Sequence, residues 1–256
     1  MKKILAFVFY SIISTCLFAQ NEFKNVAFIE GEKLVYRVHY GFIDAGYAEI
    51  EIQNEDKKIG NKDVYHAVGK GYSNSTFDMF FKVRDRYETY IDKTNHSPLL
   101  FIRRVDEGGY KISQNHYFNH TQNTVSSEGK IFSVPNQVQD MLSAFYFARN
   151  IDYSEAQKGQ VFEIPTFVDN EIFPMKMRYV GKETIKTTFG KIRCLKFRPL
   201  IQKGRVFKHE EDLAVYVTDD LNHIPIRAEA KILVGSIKMD LESYKNLKNP
   251  LSLVHN

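Results

Sequence analysis

From residue 32 onward the chain alternates between apolar and polar positions with a period of two. In 32–40, Leu34, Tyr36, Val38 and Tyr40 fall on one side, as a half-buried strand requires. Residues 41–46 read as a turn, and 47–53 alternate again with Ala48, Ile50 and Ile52 inward, which predicts a hairpin. The pattern returns at 64–68, 80–91, 99–105 and 110–118. Past Gly159 it covers 161–168, 172–180, 182–188, 191–198, 212–218, 224–234 and 237–244. Turn-rich pieces at 54–61, 92–98, 106–109 and 119–123 separate the first set. Phe189-Gly190 and Gly235-Ser236 suit tight hairpins in the second.

Residues 136–149 break this pattern. Val138, Met141, Leu142, Phe145 and Ala148 recur at helical spacing behind Pro135, and Asn136 and Gln139 have the spacing of a capping box. The reading is an amphipathic helix whose apolar stripe lies against a sheet. The fold expected is mainly β: a curved antiparallel sheet, an open barrel or sandwich, with one central amphipathic helix. Neither a long linker nor a low-complexity tract divides the chain. Residues 20–246 are therefore expected to form one domain, two β halves meeting at the helix, and 247–256 a loose tail.

The first residues belong to a different grammar. Lys2 and Lys3 precede an apolar run from Ile4 to Phe18, and Ala19 stands before the polar Gln20-Asn21-Glu22. The run, about 15 residues, is shorter than the roughly 20 a membrane span needs. It reads as a secretory leader over 1–19, cleaved after Ala19. The competing reading takes 13–16 as a lipoprotein signal in which Cys16 is acylated. A periplasmic or otherwise exported protein is expected.

Removing that leader takes Lys2 and Lys3 from the formal charge of +4 and leaves +2. A near-neutral chain whose basic residues are mixed with acids is a poor partner for phosphate backbones, so nucleic acid is not expected. No mature apolar run is long enough for a transmembrane segment. An outer-membrane barrel would need lipid-facing strands free of the mixed charges seen here. Of the two cysteines only Cys194 would remain, within the alternating run 191–197, where a small buried side chain is expected rather than a reactive thiol. The core, not a disulfide, must hold the protein together.

Reaction motifs are missing. The sequence contains no G-x-S-x-G, no H-E-x-x-H and no G-x-x-x-x-G-K-[ST]. His116 and His120 lie about 13 Å apart on an extended strand and cannot share a metal there. Asp219 and Asp220 read as turn residues, and Asp85, between Arg84 and Arg86, as a cross-strand partner. No cofactor and no catalytic residue is expected. Asp140, Ser143 and Arg149 are polar residues on the apolar-docking helix. They read either as a polar anchor at a cleft rim or as charges opposing the helix macrodipole. In Tyr72-Ser73-Asn74-Ser75-Thr76-Phe77-Asp78-Met79-Phe80-Phe81, the groups of Met79, Phe80 and Phe81 cannot all face one side of a strand. At least one must leave the core, for a second packed layer or a ligand cleft. The 20 Phe and 15 Tyr come with no Trp, which favours an apolar ligand over a sugar-stacking one.

Several segments resemble one bacterial family: Gly31-Glu32-Lys33-Leu34-Val35-Tyr36, then Tyr40-Gly41-Phe42-Ile43-Asp44-Ala45-Gly46, the central 139–149, and Pro225-Ile226-Arg227 leading to Gly235. They look like the family called domain of unknown function 3108. That resemblance implies an exported protein and carries no catalytic residues with it. The expected architecture is also similar to that of periplasmic lipoprotein carriers, which hold acyl chains in an open half-barrel, an analogy of fold alone. Three functions follow in order: a binding module for a lipid, acyl chain or other apolar ligand; an adaptor for an envelope protein partner, pairing at a sheet edge; and a hydrolase of envelope glycans or lipids.

Overall fold

The computed structural model of the protein describes residues 24–200, 212–232 and 235–254. The leader at 1–19, with Cys16, lies outside the described residues, as do the last two residues expected in strand 224–234. Among the described residues fifteen strands form one antiparallel sheet. The first meander runs β1 (Lys33–Tyr40), β2 (Ile43–Ile52), β3 (Lys57–Ile59), β4 (Lys62–Ser73), β5 (Arg84–Asp92), β6 (Pro98–Glu107), β7 (Tyr110–Asn119), β8 (Thr124–Ser127) and β9 (Lys130–Ser133). A helix, α1 (Met141–Arg149), follows. The second meander is β10 (Val161–Val168), β11 (Glu171–Thr187), β12 (Gly190–Pro199), β13 (Leu213–Thr218), β14 (Pro225–Lys231) and β15 (Ser236–Lys245).

Sheet order explains the architecture. It runs β10-β11-β12-β13-β14-β15-β1-β2-β4-β5-β6-β7-β8-β9, with β3 beside β4, so β15 returns to pair with β1. The edge strands β9 and β10 are therefore neighbours in sequence but unpaired in the sheet, and α1 lies between them in the chain. The sheet is a large open one, not a closed barrel. Its curl brings Phe132 of β9 to within 5.3 Å, ring to ring, of Phe167 of β10.

Alternation places the core as expected at Leu34, Tyr36 and Ile52, all essentially buried, and Ala67 is buried with them. One cluster joins Ile52, Ile91, Phe101, Phe118 and Phe167 to Leu142 and Tyr146 of α1. A second gathers Leu34, Tyr36, Ile192, Cys194, Tyr216, Ile226 and Leu241, and Phe145 packs against both. Cys194 is buried, and its surroundings push the thiol up to about 12, burial being the main cause. It is a core residue, not a reactive one.

Four sequence expectations are corrected. The turn before β2 is shorter than 41–46, since β2 begins at Ile43. Strands 172–180 and 182–188 are one strand, β11, irregular at Gly181. Residues 80–83 are not strand: a 3-10 turn over Phe77–Met79 leads into β5 at Arg84. The segment after β15 is not loose. The Asn249 amide N–H donates to Asn222 Oδ1 at 2.8 Å, Ser252 N–H to Asp220 Oδ2 at 2.8 Å, and Leu247 and Leu251 pack on the second cluster. These contacts are long-range, so local periodicity does not report them.

Candidate functional site

The helix starts at Met141, five residues after the expected start. Residues before it are drawn into pairing instead: the Gln139 N–H donates to Pro165 O, and the Phe167 N–H to Gln139 O, both at 2.8 Å. Gln137 has a φ of 57°, which a helix does not allow. Two hydrogen bonds on the open edge of β10 satisfy backbone groups that would otherwise need solvent. The capping box is Asp140 with Ser143, not Asn136 with Gln139: Asp140 Oδ1 accepts from the amides of Leu142 and Ser143 at 2.8 Å each, and Ser143 Oγ accepts from the Asp140 N–H at 2.9 Å.

Asp140 is fully buried and its Oδ2 accepts from the Thr89 hydroxyl of β5 at 2.6 Å. Burial pushes its carboxyl up to about 6, against the pull of the Thr89 hydroxyl and the two amides. The folded value thus lies above the unfolded one near 3.8. The carboxyl's contribution is complete below pH 4 and is lost as pH rises through 6, roughly 3 kcal/mol in all. We expect wild-type stability to fall between pH 4 and pH 7 by about this amount relative to Asp140→Asn, measured by urea denaturation across that range.

Arg149, at the other end of α1, is 2% exposed and meets Glu32, which is 0% exposed. The pair is bidentate, with Nη1 donating to Oε1 at 2.5 Å and Nη2 to Oε2 at 2.8 Å. Nε donates to Asn222 O at 2.8 Å and Nη2 also to Ala27 O at 3.1 Å. The rings of Phe28, Phe145 and Tyr146 lie within 5.7 Å of the guanidinium carbon. One side chain thus ties the helix to the segment ahead of β1 and to the β13–β14 turn. Asp140 and Arg149 are both buried anchors of the helix.

An apolar trough follows the sheet in three neighbouring stretches, of which the inner two are bounded by the helix. The outermost, about 240 Å³, is lined by Val38, Tyr40, Ala45, Phe77, Val83 and Ile237 among others. It shares Ala48 and Gly71 with a second of about 240 Å³, bounded by Ile50, Tyr87 and Leu142. Met141 lines both that stretch and a third of about 180 Å³, along Phe145, Met175, Met177, Phe197 and Val217. Small residues on β2 and β4 keep the sheet side hollow. A Cβ on Gly69 would meet Leu142 Cδ1 at 3.7 Å, and Gly71 pairs directly with Ala48. Met141, placed by the sequence on the buried stripe, is 44% exposed and faces this trough.

Strand polarity fixes where the trough opens. The β1–β2, β4–β5, β6–β7, β8–β9, β10–β11 and β14–β15 connections all fall at one end of the sheet. Exposed large apolar residues gather at or beside them: Phe42 (107% exposed), Met79 and Phe80 (81% each), Ile131 (76%), then Ile43, Phe81, Tyr110, Ile172, Phe173 and Ile237. The opposite end shows Ile29, Val161, Leu221, Leu253 and Val254, none above 56%. Tyr40, Phe77 and Ile237 line the outermost stretch, so its mouth lies at the apolar end.

The six residues singled out in the sequence therefore fall into two groups. Met79, Phe80 and Phe81 stand on the end turn beside the trough mouth. Asp140 and Ser143 are sealed at the start of α1; Arg149 touches the innermost stretch while its charge is held by Glu32. Residues that sequence reasoning missed are Glu32, which carries no local signal of a partner 117 positions away, and the small pair Ala48 and Gly71. Of the other polar residues, Asp219 pairs with Lys182 and Arg193, and Asp220 Oδ1 accepts from Thr218 and Asn222. Asp85 Oδ1 accepts from the Asp106 N–H at 3.1 Å. His116 is buried between Phe101 and Phe167, and burial pushes its imidazole down; His120 Nε2 lies 2.7 Å from Pro98 O. Among the described residues no group of three or more His, Cys, Asp or Glu could hold a metal ion, and no helix is long and apolar enough to cross a membrane.

The fold is similar to that of a solved structure. A "Beta-barrel-like Protein of Domain of Unknown Function DUF1849" from Brucella abortus is 8% identical over 86% of this chain and 99% of its own, with a TM-score of 0.55. A "putative lipoprotein" from Parabacteroides distasonis is 13% identical over 88% and 98% of the two chains, with a TM-score of 0.35. A "putative exported protein with YmcC-like fold" from Bacteroides fragilis is 12% identical over 86% and 97%, at 0.34. No curated protein matches the chain. The family model described as "Protein of unknown function (DUF3108)" matches residues 35–242, which span the sheet from β1 to β15 and enclose the helix, and the chain belongs to that family.

Proposed function

We propose that this protein is an exported, non-enzymatic binding module that holds a hydrophobic chain, such as the acyl chain of a lipid, in the trough between α1 and the sheet. The observation that carries this reading is the apolar lining of three neighbouring stretches along the sheet. Ala48 and Gly71 line both the first stretch and the second, Met141 lines both the second and the third, and the walls of all three are almost wholly apolar. An apolar chain needs area rather than hydrogen bonds, and each buried methylene contributes about 0.8 kcal/mol. The leader pattern at 1–19 supports export, and Asp140, Asp219 and Asp220 are engaged by partners within the fold. An adaptor pairing at a sheet edge has less support, because β9 is four residues long and Gln139 occupies part of the β10 edge.

The test is uptake of a fluorescent fatty acid. Ala48 lines two of the three stretches, so Ala48→Phe should fill their junction and lower affinity at least about tenfold, a loss of about 1.4 kcal/mol. Unchanged affinity in the variant, or no uptake by the wild type, would refute the reading.

A further inference from the structure

β9 and β10 are the two end strands of the sheet, and its curl brings them together without joining them. Among the described residues no backbone hydrogen bond crosses this seam from β6–β9 to β10, so side chains hold it. Phe167 of β10 meets Phe132 of β9 at 5.3 Å, ring to ring, and lies edge-on to the ring of His116 of β7 at 5.1 Å. Just past β10, Asp169 Oδ1 accepts from Arg103 Nη1 at 2.6 Å; the aspartate is largely exposed, and such pairs contribute little. The seam rests mainly on three rings packed out of water.

One of those rings can acquire a charge. His116 is 1% exposed, and neither of its ring nitrogens has a hydrogen-bond partner among the described residues. Phe101 flanks it on β6, Phe167 covers it from β10, and Ser127, its direct partner on β8, is itself buried with an unpartnered hydroxyl. Burial pushes the imidazole down; Asp169 beyond β10 and Glu128 beyond β8 work against that, and Arg103 of β6 works with it. Asp140 lies farther along the same row, on Thr89 two strands away. A proton on His116 would create a buried, unpaired cation, which a fold relieves by exposing the group. Exposure here means that Phe167 withdraws.

β10 does not move alone. Ile164 pairs with Met175 and Phe162 with Met177, and both methionines of β11 line the inner stretch of the trough. We infer that protonation of His116 unclasps the seam between the two sheet edges and frees the β10–β11 wall, so that the protein lets go of its trough ligand in acid. The unclasping stands on the seam alone; the release rests on the reading above. An imidazole exposed by opening takes a proton near pH 6.5, whereas the buried one resists it. Opening is therefore favoured as pH falls below that value, by up to about thirtyfold at pH 5. Asp140 acts in the opposite sense over the same range, its contribution being lost as pH rises, so neutral variants at position 116 isolate the clasp.

Hydrogen exchange of the amides in 161–168, followed by mass spectrometry and corrected for the intrinsic rate at each pH, reads the opening in ligand-free protein. From about pH 7.5 to about pH 5 the corrected rate should rise at least about tenfold in wild type and stay within about twofold in His116→Leu and His116→Gln; either variant suffices should the other not fold. No rise in wild type, or the same rise in the variants, would overturn the clasp. A preloaded fluorescent fatty acid should leave wild type at least about tenfold faster than the variants after a jump to about pH 5. Equal release rates beside a clear exchange difference would overturn the release and leave the clasp standing. Failure of wild type to load at neutral pH would remove the trough ligand, while exchange still decides the clasp.

Discussion

Arg149→Met is expected to cost about 3–5 kcal/mol of stability, the range for removing one partner of a buried ion pair. The reason is what it leaves behind. Glu32 is 0% exposed, and without the guanidinium its carboxylate keeps no cation. The carbonyls of Ala27 and Asn222 lose a donor as well, each a further cost when buried. Glu32→Gln should cost less, because an amide can still accept from Arg149, although the cation is then unbalanced. The double variant Glu32→Leu/Arg149→Met separates charge from packing. If the pair matters mainly as a charge that must not be left alone, the double variant recovers most of what the single variant loses, and urea denaturation of the three proteins shows it. Equal losses in single and double variants would place the energy in the carbonyl contacts instead.

Gly46→Ala should be comparably severe, about 3 kcal/mol or more, at the high end of overpacking costs. A Cβ there would lie 2.1 Å from Tyr72 O and 2.7 Å from Ser73 Cα. Both are backbone atoms of the neighbouring strand, so no rotamer change relieves the clash and β2 and β4 must separate near the trough mouth. Gly71→Ala is the matched control on β4. Its Cβ would meet Asp85 Cβ at 3.7 Å, an ordinary contact, and stability should stay within about 1 kcal/mol of wild type. Thermal melts of the two variants decide between close backbone approach and general intolerance of added volume.

The strands were legible because a sheet with one wet face repeats its pattern every two residues, and Leu34, Tyr36 and Val38 state it without ambiguity. Turn chemistry was legible where glycine or aspartate marks it, as at Asp219 and Asp220. The helix start was not, because the spacing of Val138 and Met141 is compatible with a helix throughout. What ends the helix at Asp140 is the unpaired edge of β10, a strand that begins 21 residues later. Met141 was misplaced for the same reason: with the helix wrapped by sheet on several sides, burial follows the surroundings and not one stripe. Of the candidate site, the exposed apolar run at Met79, Phe80 and Phe81 was visible as a violation of strand alternation. The trough was not, since a hollow is made by side chains that are small, and Ala48 and Gly71 look alike in sequence whether they face a ligand or a neighbour. Glu32 and Arg149 meet only in the folded chain, where the segment ahead of β1 comes to the end of α1.

On the proposed reading the trough carries a hydrophobic chain. Native mass spectrometry of the protein taken directly from its host, without delipidation, tests it most directly. The wild type should carry an adduct that extraction identifies as an acyl-chain-bearing molecule, and Ala48→Phe should fly without it. Bare wild-type protein, or an adduct retained equally by Ala48→Phe, would contradict the claim.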